Sequence, residues 1–289
     1  MKQKLFLLIF FWCGITASAQ SIDFGKGSSS PKTDSIAKII LEPTEYVITY
    51  TYSYVPDPEF SEDIKSGLTI LQIGKRYNRF SDYNELRFDS ICDEVAHNRL
   101  DVSSATPIML DALKRSCFTE GILIDRENKK EIIQRTAGLR TKKYQYEESC
   151  PSLKWEILDG DTIISGYHCN KAKTSMFGRD YIAWYTPEIN LPYGPYKFNG
   201  LPGLICRVTD TNYNFDFLLD GFEKDKNNRP IYLWDKKDIV KTDRKTVRKI
   251  YKNFCADPVS ALLSKGNVQI PEETRAKVEP KPYNPIERE

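Results

Sequence analysis

His168 stands directly before Cys169, and an imidazole beside a thiol is the pairing that activates a cysteine nucleophile. The surrounding ISGYHCNKA reads as strand, however, and neighbouring strand residues point to opposite faces, so these side chains meet only across a bulge. Cys92 and the second histidine, His97, are five positions apart on an expected helix, which separates them by roughly 140° around its axis. Glu147-Glu148 could supply an acid and a base, but they also diverge along a strand. Two histidines and scattered carboxylates are too few for a metal site. The calcium-loop pattern fails at LDGDT, and no CxxC, GxSxG, P-loop or GxGxxG occurs. The sequence nominates no catalytic residue, no metal ligand and no cofactor. An enzyme reading rests on an unfamiliar site or on a Cys/His pair assembled across the fold.

The chain opens MKQKLFLLIFFWCGITASAQ. Lys2 and Lys4 form a basic start, Leu5 to Trp12 an apolar run too short to span a bilayer, and Ala17-Ser18-Ala19 a small-x-small cleavage site. Residues 1–19 are expected to be a secretory signal peptide. Trp12 precedes Cys13, where lipoprotein processing needs a small residue. Without Lys2 and Lys4, 40 of the 42 basic residues remain against 40 acidic ones. A near-neutral chain gives no electrostatic case for nucleic acid or an acidic lipid surface. No second stretch is apolar enough to cross a membrane, so no transmembrane segment is expected after cleavage. The expected location is the periplasm, the outer-membrane surface or the medium outside.

Residues 20–35 are small and polar and read as a flexible leader. EYVITYTYSYV then alternates, with Tyr46, Ile48, Tyr50, Tyr52 and Tyr54 on one face of a strand. That tyrosine stripe suits either buried packing in a closed core or an accessible concave face, where several phenols find partners more easily. Phe88, Ile91, Cys92 and Val95 mark a helix over about 82–97. Thr106-Pro107 reads as the cap and first residue of a second helix. From Ile122 to Phe222 nearly everything reads as strand, with hairpins expected at Asp159-Gly160 and near Asp210-Thr211-Asn212. A third helix is expected over about 242–255. Its apolar face is Val247, Ile250, Tyr251 and Phe254, and its basic face is solvated. Residues 36–268 read as one domain, and 269–289, rich in proline and charge, as a disordered tail.

YGPYKFNGLPGLICRVTD, from Tyr193 to Asp210, concentrates turn residues between two strands. Gly194, Pro195, Gly200, Pro202 and Gly203 read as a folded elbow, with a type II turn at Pro202-Gly203. The alternative is that the glycines let backbone approach a ligand closely. GLPGLI, Gly200 to Ile205, is the signature hexapeptide of the GLPGLI protein family. KWEI, ISGYHCNKA, GRDYIAWYTPEI and GPYKFNGLPGLI resemble that family's pattern in order, and LQIGKRYNRF and NPIERE are similar to flanking elements. The resemblance implies an exported protein of Gram-negative bacteria, and it brings no established activity or catalytic residues.

The fold expected is α+β. It comprises one large curved antiparallel sheet, half-barrel-like in the manner of periplasmic lipoprotein carriers, with a few packed helices. The function expected is non-enzymatic binding of an apolar small molecule, a lipid or an envelope protein. Trp184, Tyr185, Tyr196 and Leu201 would form the rim of the sheet. An exported hydrolase with an unfamiliar site and a structural accessory protein are the alternatives. If Asp159-Gly160 is a two-residue hairpin loop, Cys150 falls opposite Cys169, within disulfide range. The leader predicts a mature N-terminus at or near Gln20 without lipid on Cys13. Intact mass of the exported protein checks this, and a diacylglyceryl adduct or an uncleaved leader contradicts it.

Overall fold

A computed structural model describes residues 34–136, 143–235, 239–263, 271–275 and 277–288. The expected signal peptide and nearly all of the leader lie outside the described residues. The chain runs β1 (Lys38–Pro43), β2 (Tyr46–Tyr54), β3 (Lys65–Ile73), β4 (Tyr77–Asp82), α1 (Tyr83–His97), α2 (Val102–Arg115), β5 (Glu120–Asp125), β6 (Lys130–Thr136) and β7 (Lys143–Ser149). It continues through β8 (Glu156–Ile164), β9 (Tyr167–Met176), β10 (Arg179–Thr186), β11 (Leu204–Asp210), β12 (Phe215–Lys224), β13 (Pro230–Trp234) and β14 (Val240–Lys241). Helices α3 (Arg244–Ala256), α4 (Pro258–Leu263) and α5 (Glu272–Arg275) follow.

Twelve strands make one sheet in the order β14-β7-β6-β5-β4-β3-β2-β12-β11-β10-β9-β8, and β1 pairs with β13 apart from it. The large sheet is antiparallel except at β14–β7, and it does not close into a barrel. This is a strand-dominated α+β fold. Among the described residues, no helix is long and apolar enough to cross a membrane.

Alternation in β2 does what a half-buried strand requires: Ile48, Tyr50 and Tyr52 enter the core, while Thr49, Thr51 and Ser53 remain half-exposed. The tyrosine stripe is not an accessible surface. Tyr50 donates its hydroxyl to the Ile205 carbonyl at 2.9 Å, and Tyr52 stacks on Phe217 with centroids 4.7 Å apart. The core thus satisfies the Tyr50 phenol internally, which its composition alone does not reveal. On the other side of the sheet, Asp89 of α1 accepts the Tyr232 hydroxyl at 2.7 Å, which ties the small sheet to the helix layer.

Four expectations need correction. Helix α2 starts one turn before Thr106-Pro107, because the Asp101 carboxylate accepts the Ser103 N–H at 3.0 Å and caps it there, leaving Pro107 inside the helix. Asp159-Gly160 is a register shift within β8, and the hairpin turns at Ser165 and Gly166, whose φ angles of 49° and 88° suit the mirror-image turn that hairpins favour. Cys169 therefore faces Thr162, Cys150 lies beyond the end of β7, and both thiols are free. The closing segment is packed rather than disordered: Ile286 and Glu287 are buried, and the Arg179 guanidinium donates to the Asn284 side chain at 2.6 Å and to the Pro285 carbonyl at 2.7 Å.

The elbow departs from a type II turn. Leu204 donates its N–H to the Ile189 carbonyl at 3.0 Å rather than to Leu201, and Gly203 has φ near 142°. A side-chain carbon on Gly203 would sit 1.9 Å from the Thr186 carbonyl oxygen. The close approach that glycine permits is therefore to the chain's own backbone. Gly203→Ala should cost roughly 2–5 kcal/mol, from overpacking added to backbone strain. Gly166→Ala, which meets nothing within 4 Å, should cost only about 1 kcal/mol. Denaturant unfolding of both variants checks the contrast, and equal costs contradict it.

Candidate functional site

The loop between β10 and β11 is tied to itself before it touches anything else. Phe198 donates its N–H to the Pro195 carbonyl at 3.1 Å and Gly200 to that of Pro192 at 3.0 Å, and Tyr193 bridges Asn199. Tyr196 takes a left-handed φ of 58°. This coiling sends Tyr196, Lys197, Phe198 and Leu201 into the core together, although an extended strand would alternate them.

Lys197 is 0 % exposed. Its ammonium lies 2.8 Å from Glu287, 3.3 Å from Glu131 on β6, and in contact with Glu148 on β7. Glu287 also accepts the Tyr196 hydroxyl at 2.6 Å and pairs with Arg244 of α3 at 2.8 Å. Nearby, Glu120 pairs with Arg135 at 2.9 Å. Burial would pull the Lys197 pKa down, but Glu287 and Glu131 outweigh it and hold it above the ordinary lysine value. Burial pushes Glu287 up, and Lys197 and Arg244 reverse that, leaving its carboxyl below the ordinary value. Glu131 goes the other way: burial, reinforced by the like charge of Glu148, outweighs Lys197 and pushes its carboxyl up to about 7. An amine nucleophile needs a lowered pKa and an approach path. Lys197 has a raised one and no exposure, so this cluster is a closed electrostatic joint.

The open surface lies elsewhere. β11 keeps three rungs with β12, ending at Arg207↔Leu218, where a bulge in β11 shifts the register against β10. Beyond that rung the turn between β8 and β9 crosses over, and Ser165 donates its hydroxyl to the Leu219 carbonyl at 2.8 Å. A groove of about 380 Å³ results, lined by Trp184, Arg207 and Leu218 and walled by Thr162 to Ser165. Ile163 beside it is 63 % exposed. The Lys171 ammonium sits 5.5 Å from the Trp184 ring centre, and Arg207 pairs with Asp216 at 2.8 Å. The groove presents polar and apolar surface in about equal measure, with Trp184, Ile163 and Leu218 beside Thr162, Ser165 and the paired Arg207.

Residues 178–207 match the family model Porph_ging, described as a protein of unknown function. No protein of curated function matches the chain. Two solved structures of PNGF-II, in different space groups, are similar over 72 % of this chain and 33 % and 32 % of theirs, at 16 % identity and TM-scores of 0.47 and 0.46. This chain spans about a third of the length of those chains.

The Porph_ging segment carries both features, Lys197 within and Trp184 without. Of the four residues expected at a rim, Tyr185, Tyr196 and Leu201 are buried, and Trp184 alone reaches the groove. The difference follows from register: Trp184 pairs with Arg207 and Lys171 on the outward face, and Tyr185 turns inward. His168 is exposed while Cys169 is buried, Cys92 is buried while His97 is exposed, and Glu147 is exposed while Glu148 turns inward. None of these pairs converges. Lys197, Glu131, Glu148 and Glu287 were missed as a group. A lysine set between Tyr196 and Phe198 is the one signal that could have flagged it.

Glu131 gives a pH test. Its folded pKa of about 7 exceeds the ordinary 4.5, so its protonated form stabilises fully below 4.5, and that stability is lost as pH rises through 7. Relative to Glu131→Gln, the wild type should lose roughly 3 kcal/mol between pH 4.5 and 8. Urea unfolding of both proteins across that range checks it. A pH-independent difference contradicts the raised carboxyl.

Proposed function

We propose that the chain is an exported envelope protein of the GLPGLI type that binds an apolar group, from a small molecule or a partner protein, and performs no catalysis. The curved sheet acts as a half-barrel scaffold whose inside is filled, and the ligand sits outside it. The observation that carries this reading is the groove at Trp184. It is the place where the matched segment presents a large aromatic side chain beside open aliphatic surface. A volume of about 380 Å³ is in the range of small-ligand sites, too small for a whole lipid, and suits one ring or one branched side chain. Arg207 and Asp216 already neutralise each other, so the groove favours an uncharged body with a polar end.

A structural accessory role is the second reading, favoured by the filled interior: Tyr196, Phe198 and Leu201 occupy the space where an inner cavity was expected. Native mass spectrometry of the protein isolated from the organism's envelope separates the two. Binding predicts a retained adduct that Trp184→Ala reduces at least tenfold, about the effect of losing an aromatic anchor. The unfolding free energy should fall by no more than about 1.5 kcal/mol, because the ring is only half-buried. No adduct in the wild type, or retention unchanged in the variant, favours the accessory role.

A further inference from the structure

Two strand edges end unpaired beside the groove. β8 is the last strand of the sheet, with β9 on one side and no strand on the other among the described residues. β12 runs on past its final rung with β11 at Leu218, and from Leu219 to Lys224 its pairing is with β2 alone. Ser165, just past the end of β8, bridges the two edges through the Leu219 carbonyl. Residues of β8, β10, β11 and β12 line the groove, and none of β9 does. An unpaired edge presents a row of N–H and C=O groups that another chain can complete. This edge is also acidic. Asp159 and Asp161 are exposed and enter no salt bridge among the described residues. The cations of this face are engaged elsewhere: Lys173 pairs with Glu156 at 3.0 Å, Arg207 with Asp216 at 2.8 Å, and Lys171 lies against the Trp184 ring.

We propose that the groove receives an extended segment of a partner protein, which adds as a strand to the free edge of β8 at Asp161–Ile164 and carries a basic and an apolar residue two positions apart. This rests on the reading of the Trp184 groove as a binding site, and it names the occupant. Past the register shift at Asp159 and Gly160, those four residues offer about 13 Å of regular edge. Asp161 and Ile163 share one face of β8, because strand side chains alternate. The added residue opposite Asp161 is therefore lysine or arginine. Two positions along, opposite Ile163, an aromatic or branched side chain turns over Trp184 and Leu218. The mixed lining suits a polypeptide, whose backbone amides bond the edge while one side chain fills the floor. A purely aliphatic chain leaves the polar half unmatched. A second copy of this chain would bring its own Asp159 and Asp161 to the same short ladder. Like charges across strands destabilise it, so the acids admit a basic strand and turn away another β8.

The probe is a fluorescein-labelled peptide, Thr-Lys-Thr-Phe-Thr-Lys-Thr, titrated with the full chain and read by fluorescence anisotropy. Saturable binding is expected, and replacing both lysines by glutamate should weaken it by roughly tenfold or more. Two further peptides are N-methylated, each on one alternate set of amides. The set that faces β8 should lose at least about tenfold in affinity, and the other set should not, because only one side of an added strand bonds the edge. Asp159→Asn with Asp161→Asn should weaken the lysine peptide by roughly threefold to tenfold, and Trp184→Ala by roughly tenfold. The absence of saturable binding, an equal response to the two N-methylated forms, or unchanged affinity in the double asparagine variant overturns the proposal. So does a dimer in sedimentation that Ile163→Lys dissolves, since the occupant is then a second copy. If the peptide fails while the native protein still retains an adduct that depends on Trp184, the strand-addition inference falls and the groove reading stands. If neither binds, both fall.

Discussion

A single ammonium, Lys197, is taken wholly out of water, and the rest of the fold is arranged to make that tolerable. Transferring one such ion to a protein interior costs several kcal/mol unless partners compensate. The partners here come from two distant parts of the chain: Glu131 and Glu148, which face each other on the paired strands β6 and β7, and Glu287 in the closing segment. Each must arrive in register for the others to be stable. The closing residues follow from the same requirement. Their path is fixed by Arg179 and Tyr181, which hold the Asn284, Pro285 and Ile286 backbone and side chains, so that Glu287 reaches Lys197 and Arg244. Three glutamates around one lysine and one arginine leave an excess of negative charge, and Glu131 absorbs it by keeping its proton near neutrality.

This arrangement divides the matched segment into two functions on two faces. Inward, the coiled loop delivers Tyr196, Lys197, Phe198 and Leu201 and seals the core. Outward, the bulge beside Cys206 ends the β11–β12 ladder early and opens the groove at Trp184. The two are mechanically linked, because Gly203 packs its backbone against Thr186, two residues after Trp184. A joint that fixes the loop therefore also fixes the floor of the groove.

Much of the architecture was legible from periodicity. The alternation of β2, the apolar stripes of α1 and α3 and the run of strands after Ile122 depend on local pattern, and each is found close to its expected place. Failures arose where one local signal had a stronger rival. Asp159-Gly160 resembles a hairpin turn, yet Ser165-Gly166 makes it, and the slip carried a false pairing of Cys150 with Cys169. Tyr196 and Leu201 looked like surface aromatics and aliphatics because the loop's coiling is invisible to a strand period. The charge cluster joins residues more than sixty positions apart on either side of Lys197, and no spacing rule in a single sequence encodes such a contact. What could be read was the anomaly of one lysine inside an aromatic, glycine-punctuated segment.

A double-mutant cycle between Lys197→Met and Glu287→Gln, measured by urea unfolding at pH 7, probes that joint directly. If the buried ammonium holds the closing segment to the sheet, Lys197→Met leaves Glu287 buried without that ammonium, and Glu287→Gln takes from Lys197 its carboxylate in the closing segment. The two changes together then cost far less than their sum, with a coupling of about 2 kcal/mol or more. Additivity within about 0.5 kcal/mol would mean that Lys197 and Glu287 stabilise the fold independently, and that the structure does not depend on their pairing.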